Sequence, residues 1–149
     1  MNTSFPKQAS VDDTSSATYM VLDMAVRPKA AGTTTDSASS MVEWTIPAYC
    51  SDMQSHLHAQ TFEVCYVVKG ILAFTLDQHT FTAVENDCVV IRPGVDHCIF
   101  NPTATPAIFL QWNTAGMDVL QLTNTMQNAA LRQAMIEQYD YFYKLRGHK

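Results

Sequence analysis

Charge is scarce in this sequence, and positive charge is scarcer still. Charged residues make up 15% of the 149-residue chain, nine Lys and Arg against fourteen Asp and Glu, for a formal net charge of −5. There is no basic run. Phosphate binding needs clustered Lys and Arg, so no nucleic-acid partner is expected. No segment approaches the ~20 apolar residues that span a bilayer, so no membrane crossing is expected. The opening stretch, MNTSFPKQASVDDTSS, has no apolar region behind a basic start, and a secretory signal is not expected. The four cysteines, Cys50, Cys65, Cys88 and Cys98, form no CxxC pair, and three of them sit inside apolar runs. They read as reduced thiols acting as small hydrophobes in a cytoplasmic protein. No internal repeat is present.

What the chain does have is apolar material. Hydrophobic residues make up 47% of it, enough for one core, and the length fits one domain. Residues 1–16 are polar and read as a flexible leader. YMVLDMAV (19–26) reads as a first strand, and RPKAAGTTTDSASS (27–40) as a long surface loop. Short strand-like runs follow: MVEWTIP (41–47), MQSHLHA (53–59), FEVCYVV (62–68), ILAFTLD (71–77), TFTAV (80–84), CVVI (88–91), HCIFN (97–101) and AIFLQWN (107–113). Turn signals separate them, among them Lys69-Gly70, Asp77-Gln78, Glu85-Asn86-Asp87 and Arg92-Pro93-Gly94. Turn signals at such intervals predict an all-β sandwich or barrel over residues 17–123. The end differs: in TMQNAALRQAMIEQYDYFY (125–143), Met126, Ala130, Leu131 and Met135 recur near helical spacing behind a candidate N-cap, Thr125. A C-terminal helix and tail packed on the sheet is expected over 124–149.

One stretch carries chemistry: HLHAQTFEVCYVVKG, residues 56–70. On a strand, residues i and i+2 point to the same face, so His56 and His58 can direct both imidazoles to one side. A short turn through 59–62 lets the strand beginning at Glu63 return beside them. His97 opens another strand just after the Pro93-Gly94 turn, and sheet pairing can bring it to the same face. Imidazole and carboxylate ligands suit a divalent first-row transition metal: Fe, Mn, Co, Ni, Cu or Zn. The absence of cysteine among them argues against a closed structural zinc site. The plainer reading of a lone HxH pair is two ordinary strand histidines.

The pattern resembles the cupin superfamily. That family's first motif runs G-x5-H-x-H-x3,4-E-x6-G, and His56, His58, Glu63 and Gly70 match it from the first histidine onward, with Cys50 where the first glycine is expected. The second motif runs G-x5-P-x-G-x2-H-x3-N. Gly94, His97 and Asn101 match it, while Asn86 stands at the first glycine and Arg92 at the proline. The resemblance covers about residues 41–113. It implies an antiparallel β-barrel of jelly-roll type holding one divalent metal on His56, His58, Glu63 and His97, with Glu63 also a candidate general base.

Interior candidates for lining a substrate site are Phe74, Ile99, Phe109 and Trp112, with Phe81 as a further interior aromatic. For all of these the plain reading is core. Arg92 is a candidate for pairing with an anionic group, against the plainer reading of a solvated turn residue. His79 reads as a solvated turn residue, Asn101 as satisfying backbone groups at a strand end, and Tyr66 as facing outward. An aromatic-lined pocket favours a small, largely apolar aromatic or polyketide-like substrate. A dioxygenase is the first expectation. The alternatives are a redox-neutral cyclase, isomerase, lyase or decarboxylase using the metal as Lewis acid, or a binding module without turnover. Apolar residues on both faces of VCYVV and CVVI lead to the expectation of a homodimer.

Overall fold

The computed structural model describes residues 18–30 and 39–114. Nine strands occur there: β1 (Tyr19–Val21), β2 (Met24–Ala30), β3 (Ser39–Ile46), β4 (Glu63–Lys69), β5 (Ile71–Leu76), β6 (His79–Val84), β7 (Cys88–Ile91), β8 (His97–Phe100) and β9 (Ala107–Thr114). All pairings are antiparallel. Six strands form one sheet in the order β1-β2-β3-β9-β4-β7, and three form a second in the order β6-β5-β8. The expected all-β architecture stands. The leader and the C-terminal helix fall outside the described residues. No helix among the described residues is long and apolar enough to cross a membrane.

Alternation of side chains builds the core. In β3 every second residue, Ser40, Val42, Trp44 and Ile46, is buried. In β9 the buried set is Ala107, Phe109, Gln111 and Asn113, and in β4 it is Glu63, Cys65 and Val67. These faces meet Leu72, Phe74, Ala83 and Ile99 of the smaller sheet in one apolar cluster. The inner face of the large sheet is thus graded. Ile46, Ala107, Phe109 and Val67 make one end apolar, while Ser40, Glu63, Gln111 and Asn113 make the other end polar.

Three expectations about elements are corrected. YMVLDMAV is a hairpin and not one strand: β1 and β2 pair through Val21↔Met24, with Leu22 at φ 54 in the tight turn. The loop expected over 27–40 is partly strand, since β2 runs to Ala30 and β3 begins at Ser39. MQSHLHA is not a regular strand and does not pair with β4. It runs along the free edge of β8 and makes a single bridge there, His56↔His97.

Candidate metal centre

The bridge that anchors the histidine segment is reciprocal: His56 N–H donates to His97 O at 3.0 Å and His97 N–H donates to His56 O at 2.8 Å. On either side, Asn101 N–H donates to Cys50 O and Gly94 N–H donates to His58 O. These bonds hold residues 50–58 antiparallel beside β8 without a continuous ladder. Glu63 reaches the same place from the opposite sheet, as the first residue of β4. The cluster therefore joins both sheets and the segment between them.

His56, His58, Glu63 and His97 each offer one ligand atom, and these atoms lie within 4.8 Å of one another. The imidazole centroids are 4.3 Å apart for His56–His97, 5.1 Å for His56–His58 and 5.7 Å for His58–His97. Nε2 of His58 lies 3.0 Å from Glu63 Oε1, and Nε2 of His97 lies 2.9 Å from Glu63 Oε2. Close as these nitrogens are to the carboxylate, both are buried with no hydrogen bond of good geometry. Buried polar atoms are ordinarily satisfied, and two such nitrogens converging with ligand atoms of His56 and Glu63 fit a bound cation. The tautomers suit it too. His56 Nδ1 lies 2.8 Å from Gln54 O and His97 Nδ1 lies 2.9 Å from Val95 O. A ring nitrogen that donates to a carbonyl leaves Nε2 with its lone pair free, the usual arrangement of a metal-binding histidine. Three neutral imidazoles and one carboxylate fit a divalent transition metal, which, when bound, supplies a Lewis acid with positions open to other ligands.

At His56 and Glu63 the electrostatics agree with that donor set. Burial, followed by the neighbouring His97, lowers His56 to about 4, so its ring is neutral near pH 7. Burial by itself would raise the Glu63 carboxyl, but the contacts from His58 and His97 outweigh it and hold the group well below the usual range. Burial pulls His97 down, yet the Glu63 carboxylate pulls harder and its affinity for a proton is raised.

Around Glu63 the wall is polar. Gln111 Nε2 donates to Glu63 Oε1 at 2.8 Å and to Asn113 Oδ1 at 2.9 Å. Trp44 Nε1 donates to Gln111 Oε1 at 2.7 Å, and Asn113 Nδ2 lies 3.4 Å from Ser40 Oγ. Sequence reasoning missed this set. Parity held the signal: Phe109, Gln111 and Asn113 alternate on one face of β9, so if Phe109 is inside, the two amides are as well.

The same parity corrects the placement of Trp112. It pairs with Val64 and Met41 on the outer face of the large sheet and is 41% exposed. It therefore does not line the interior. Phe74, Ile99 and Phe109 are buried in the apolar core, Phe74 stacked on Phe81 and Phe109 on Trp44. Phe81 is exposed on the edge strand β6. Arg92 is exposed in the turn after β7 and makes no ion pair among the described residues. Tyr66 faces outward, and its hydroxyl donates to Asn86 Oδ1 at 2.9 Å. Asn101 is a structural knot: Nδ2 donates to Ile46 O and Thr105 O, and Oδ1 accepts from the amide and hydroxyl of Thr103.

Two packed antiparallel sheets with three histidines and a glutamate converging between them define a β-barrel protein with a candidate metal centre. The chain carries a cupin superfamily domain: the cupin domain family matches residues 42–113. Among curated proteins none matches the chain. Solved structures share the fold at low identity. KdgF from Halomonas sp. has a TM-score of 0.62 and 13% identity over 76% of this chain and 99% of that one. A predicted oxalate decarboxylase from Thermotoga maritima has 0.59 and 18%, over 62% and 81%. The cupin domain of an XRE family transcriptional regulator from Enterobacter cloacae has 0.57 and 16%, over 63% and 98%.

Proposed function

We propose that this chain is a metal-dependent enzyme in which His56, His58, Glu63 and His97 hold one divalent transition metal, and that it acts on a small, oxygen-bearing organic molecule in a redox-neutral reaction. The observation that carries this reading is the convergence of four ligand atoms, two of them buried nitrogens without hydrogen bonds of good geometry. Glu63 and His97 form the buried floor of the site, and His58, whose side chain is 22% exposed, gives onto solvent. A substrate thus approaches from the His56–His58 side and meets whatever positions the four ligands leave open.

The polar side chains behind Glu63 bear on the substrate class. Besides the two histidines, Glu63 is met by the Gln111 amide, which is bonded in turn to Asn113 and Trp44, while the aromatic and aliphatic candidates Phe74, Ile99 and Phe109 are packed into the core. A polar setting of this kind supports a hydroxylated or carboxylated ligand over an apolar aromatic one. It also supports Lewis-acid chemistry, such as that of a lyase, isomerase or decarboxylase, over the dioxygenase expected from the sequence. Fold neighbours include both a predicted decarboxylase and a regulator's domain, so the fold alone does not choose.

Elemental analysis of untagged protein tests the site. The wild type is expected to carry about one equivalent of a transition metal, and Glu63→Ala and His97→Ala to lose it or hold it far more weakly. A wild type that takes up no Fe, Mn, Ni, Co, Cu or Zn on reconstitution sinks the metalloenzyme reading. Oxygen uptake on turnover would replace the redox-neutral reading with the dioxygenase. Tight metal with no turnover would leave a binding module.

A further inference from the structure

Gln111 occupies the centre of the large sheet, on the inner face of β9, opposite Val42 of β3 and Cys65 of β4. It sits where that face passes from apolar to polar, between Phe109 and Asn113, and its amide is fully used. An indole N–H can only donate. Trp44 Nε1, 2.7 Å away, therefore forces the amide oxygen of Gln111 toward itself. The NH2 group must then face the other way, where its two hydrogens meet Glu63 Oε1 at 2.8 Å and Asn113 Oδ1 at 2.9 Å. Trp44 is itself fixed by stacking on Phe109, with ring centroids 6.2 Å apart and planes 6° from parallel. A rigid aromatic pair thus sets one amide, and that amide sets one oxygen of the carboxylate that the proposed metal uses.

Resting on that reading of the site, we propose that Gln111 is the positioning residue for Glu63 and that Trp44 acts on the metal through it. A carboxylate ligand with no outer partner is free to rotate about its terminal torsion and to present either oxygen. The Gln111 donor removes that freedom by occupying Oε1 from the sheet side. Outer partners of this kind commonly account for 10–100-fold in metal affinity. The direction of the chain matters: Trp44 touches Gln111, not Glu63, so its influence on the metal exists only while Gln111 is there.

The test is a double-mutant cycle on the full chain, with Co(II) as the probe. Its affinity is read by competition with a chromophoric chelator and its coordination by the visible absorption bands. Gln111→Leu is expected to weaken Co(II) binding by about 10–100-fold and to shift the bands. Trp44→Phe keeps an aromatic ring beside Phe109 and removes the N–H together with the rest of the five-membered ring. It is expected to weaken binding by a smaller factor. The double variant is expected to bind as Gln111→Leu does, because two residues acting in series do not add. A purely structural role would leave the bands unmoved and let the two factors multiply. Wild-type affinity and bands in Gln111→Leu overturn the proposal, and so do multiplying factors. If Gln111→Leu does not fold, Trp44→Phe decides: weaker Co(II) supports the relay and unchanged Co(II) overturns it. A wild type that binds no Co(II) overturns the metal reading itself, a result distinguishable from the others.

Discussion

His56 is the ligand whose protonation reaches furthest into stability. In the unfolded chain it titrates at 6.5, and in the fold burial and the neighbouring His97 bring it to about 4. Between these values the unfolded state holds a proton that the folded state refuses, so stability falls as the pH drops. His97 opposes this only at the top of the range: its raised affinity adds stability as the pH falls through 6.5, a gain that is complete once the unfolded ring is protonated too. Glu63 adds a further loss only below its ordinary 4.5, since its folded value is lowered. Metal-free wild type is therefore expected to lose up to about 1.4 kcal/mol per pH unit through His56 between pH 6.5 and 5, and His56→Asn to show a correspondingly shallower slope. Urea unfolding of both proteins across that range is the measurement, and equal slopes would sink the assignment. At this scale the ligands were legible, because HxH, Glu and a later His stand at fixed spacings in the chain. Their support was not. Gln111 bonds to a glutamate 48 residues away and a tryptophan 67 away, and no local pattern announces such partners.

At the scale of elements, the strands most easily read were those with one buried face, and β3, β4, β7, β8 and β9 follow the alternation written in their sequence. The hairpin between β1 and β2 was illegible because it turns through Leu22-Asp23. A leucine at positive φ is an uncommon turn residue, and nothing in its type signals the reversal. The histidine segment was misread for a related reason: HLH has the periodicity of a strand, but only one rung of ladder forms. The motif glycines behave as their positions demand. Gly70, at φ +83, joins the two sheets, and a Cβ there would sit 3.0 Å from Ala107 Cβ and 3.1 Å from its Cα. Gly94, at φ +82, has open space where a Cβ would go. Asn86 replaces a third motif glycine and reaches φ 74, which asparagine tolerates better than most residues. Gly94→Ala is expected to cost only the left-handed backbone penalty, about 1–2 kcal/mol. Gly70→Ala adds overpacking against the β9 backbone, for about 2–5 kcal/mol in all. Thermal or urea unfolding ranks the pair, and a Gly94→Ala protein as unstable as Gly70→Ala would contradict the stated contacts.

At the scale of the whole molecule, the outer face of the large sheet needs an occupant. Trp112 pairs across strands with Met41 and Val64, and Val64 pairs with Val90 on the edge strand β7. Trp112 is 41% and Val90 54% exposed, so an apolar row crosses four strands and ends at an open edge. Contiguous apolar rows of this kind on a soluble surface mark contacts more often than chance. We propose that a second copy of the chain covers it, as the apolar outer residues of β4 and β7 led us to expect from sequence. A two-fold contact brings the same row from each copy together and closes the assembly at two. The rival occupant is the chain's own segment after Thr114, where 125–143 carries apolar residues at helical spacing. The two are separable by one substitution. In sedimentation the full-length wild type is expected to be a dimer, and Trp112→Glu a monomer of nearly unchanged thermal stability per chain. A monomeric wild type that Trp112→Glu destabilises would assign the face to the chain's own C-terminal segment. A monomer indifferent to the substitution would leave the row merely solvated and end the case for a dimer.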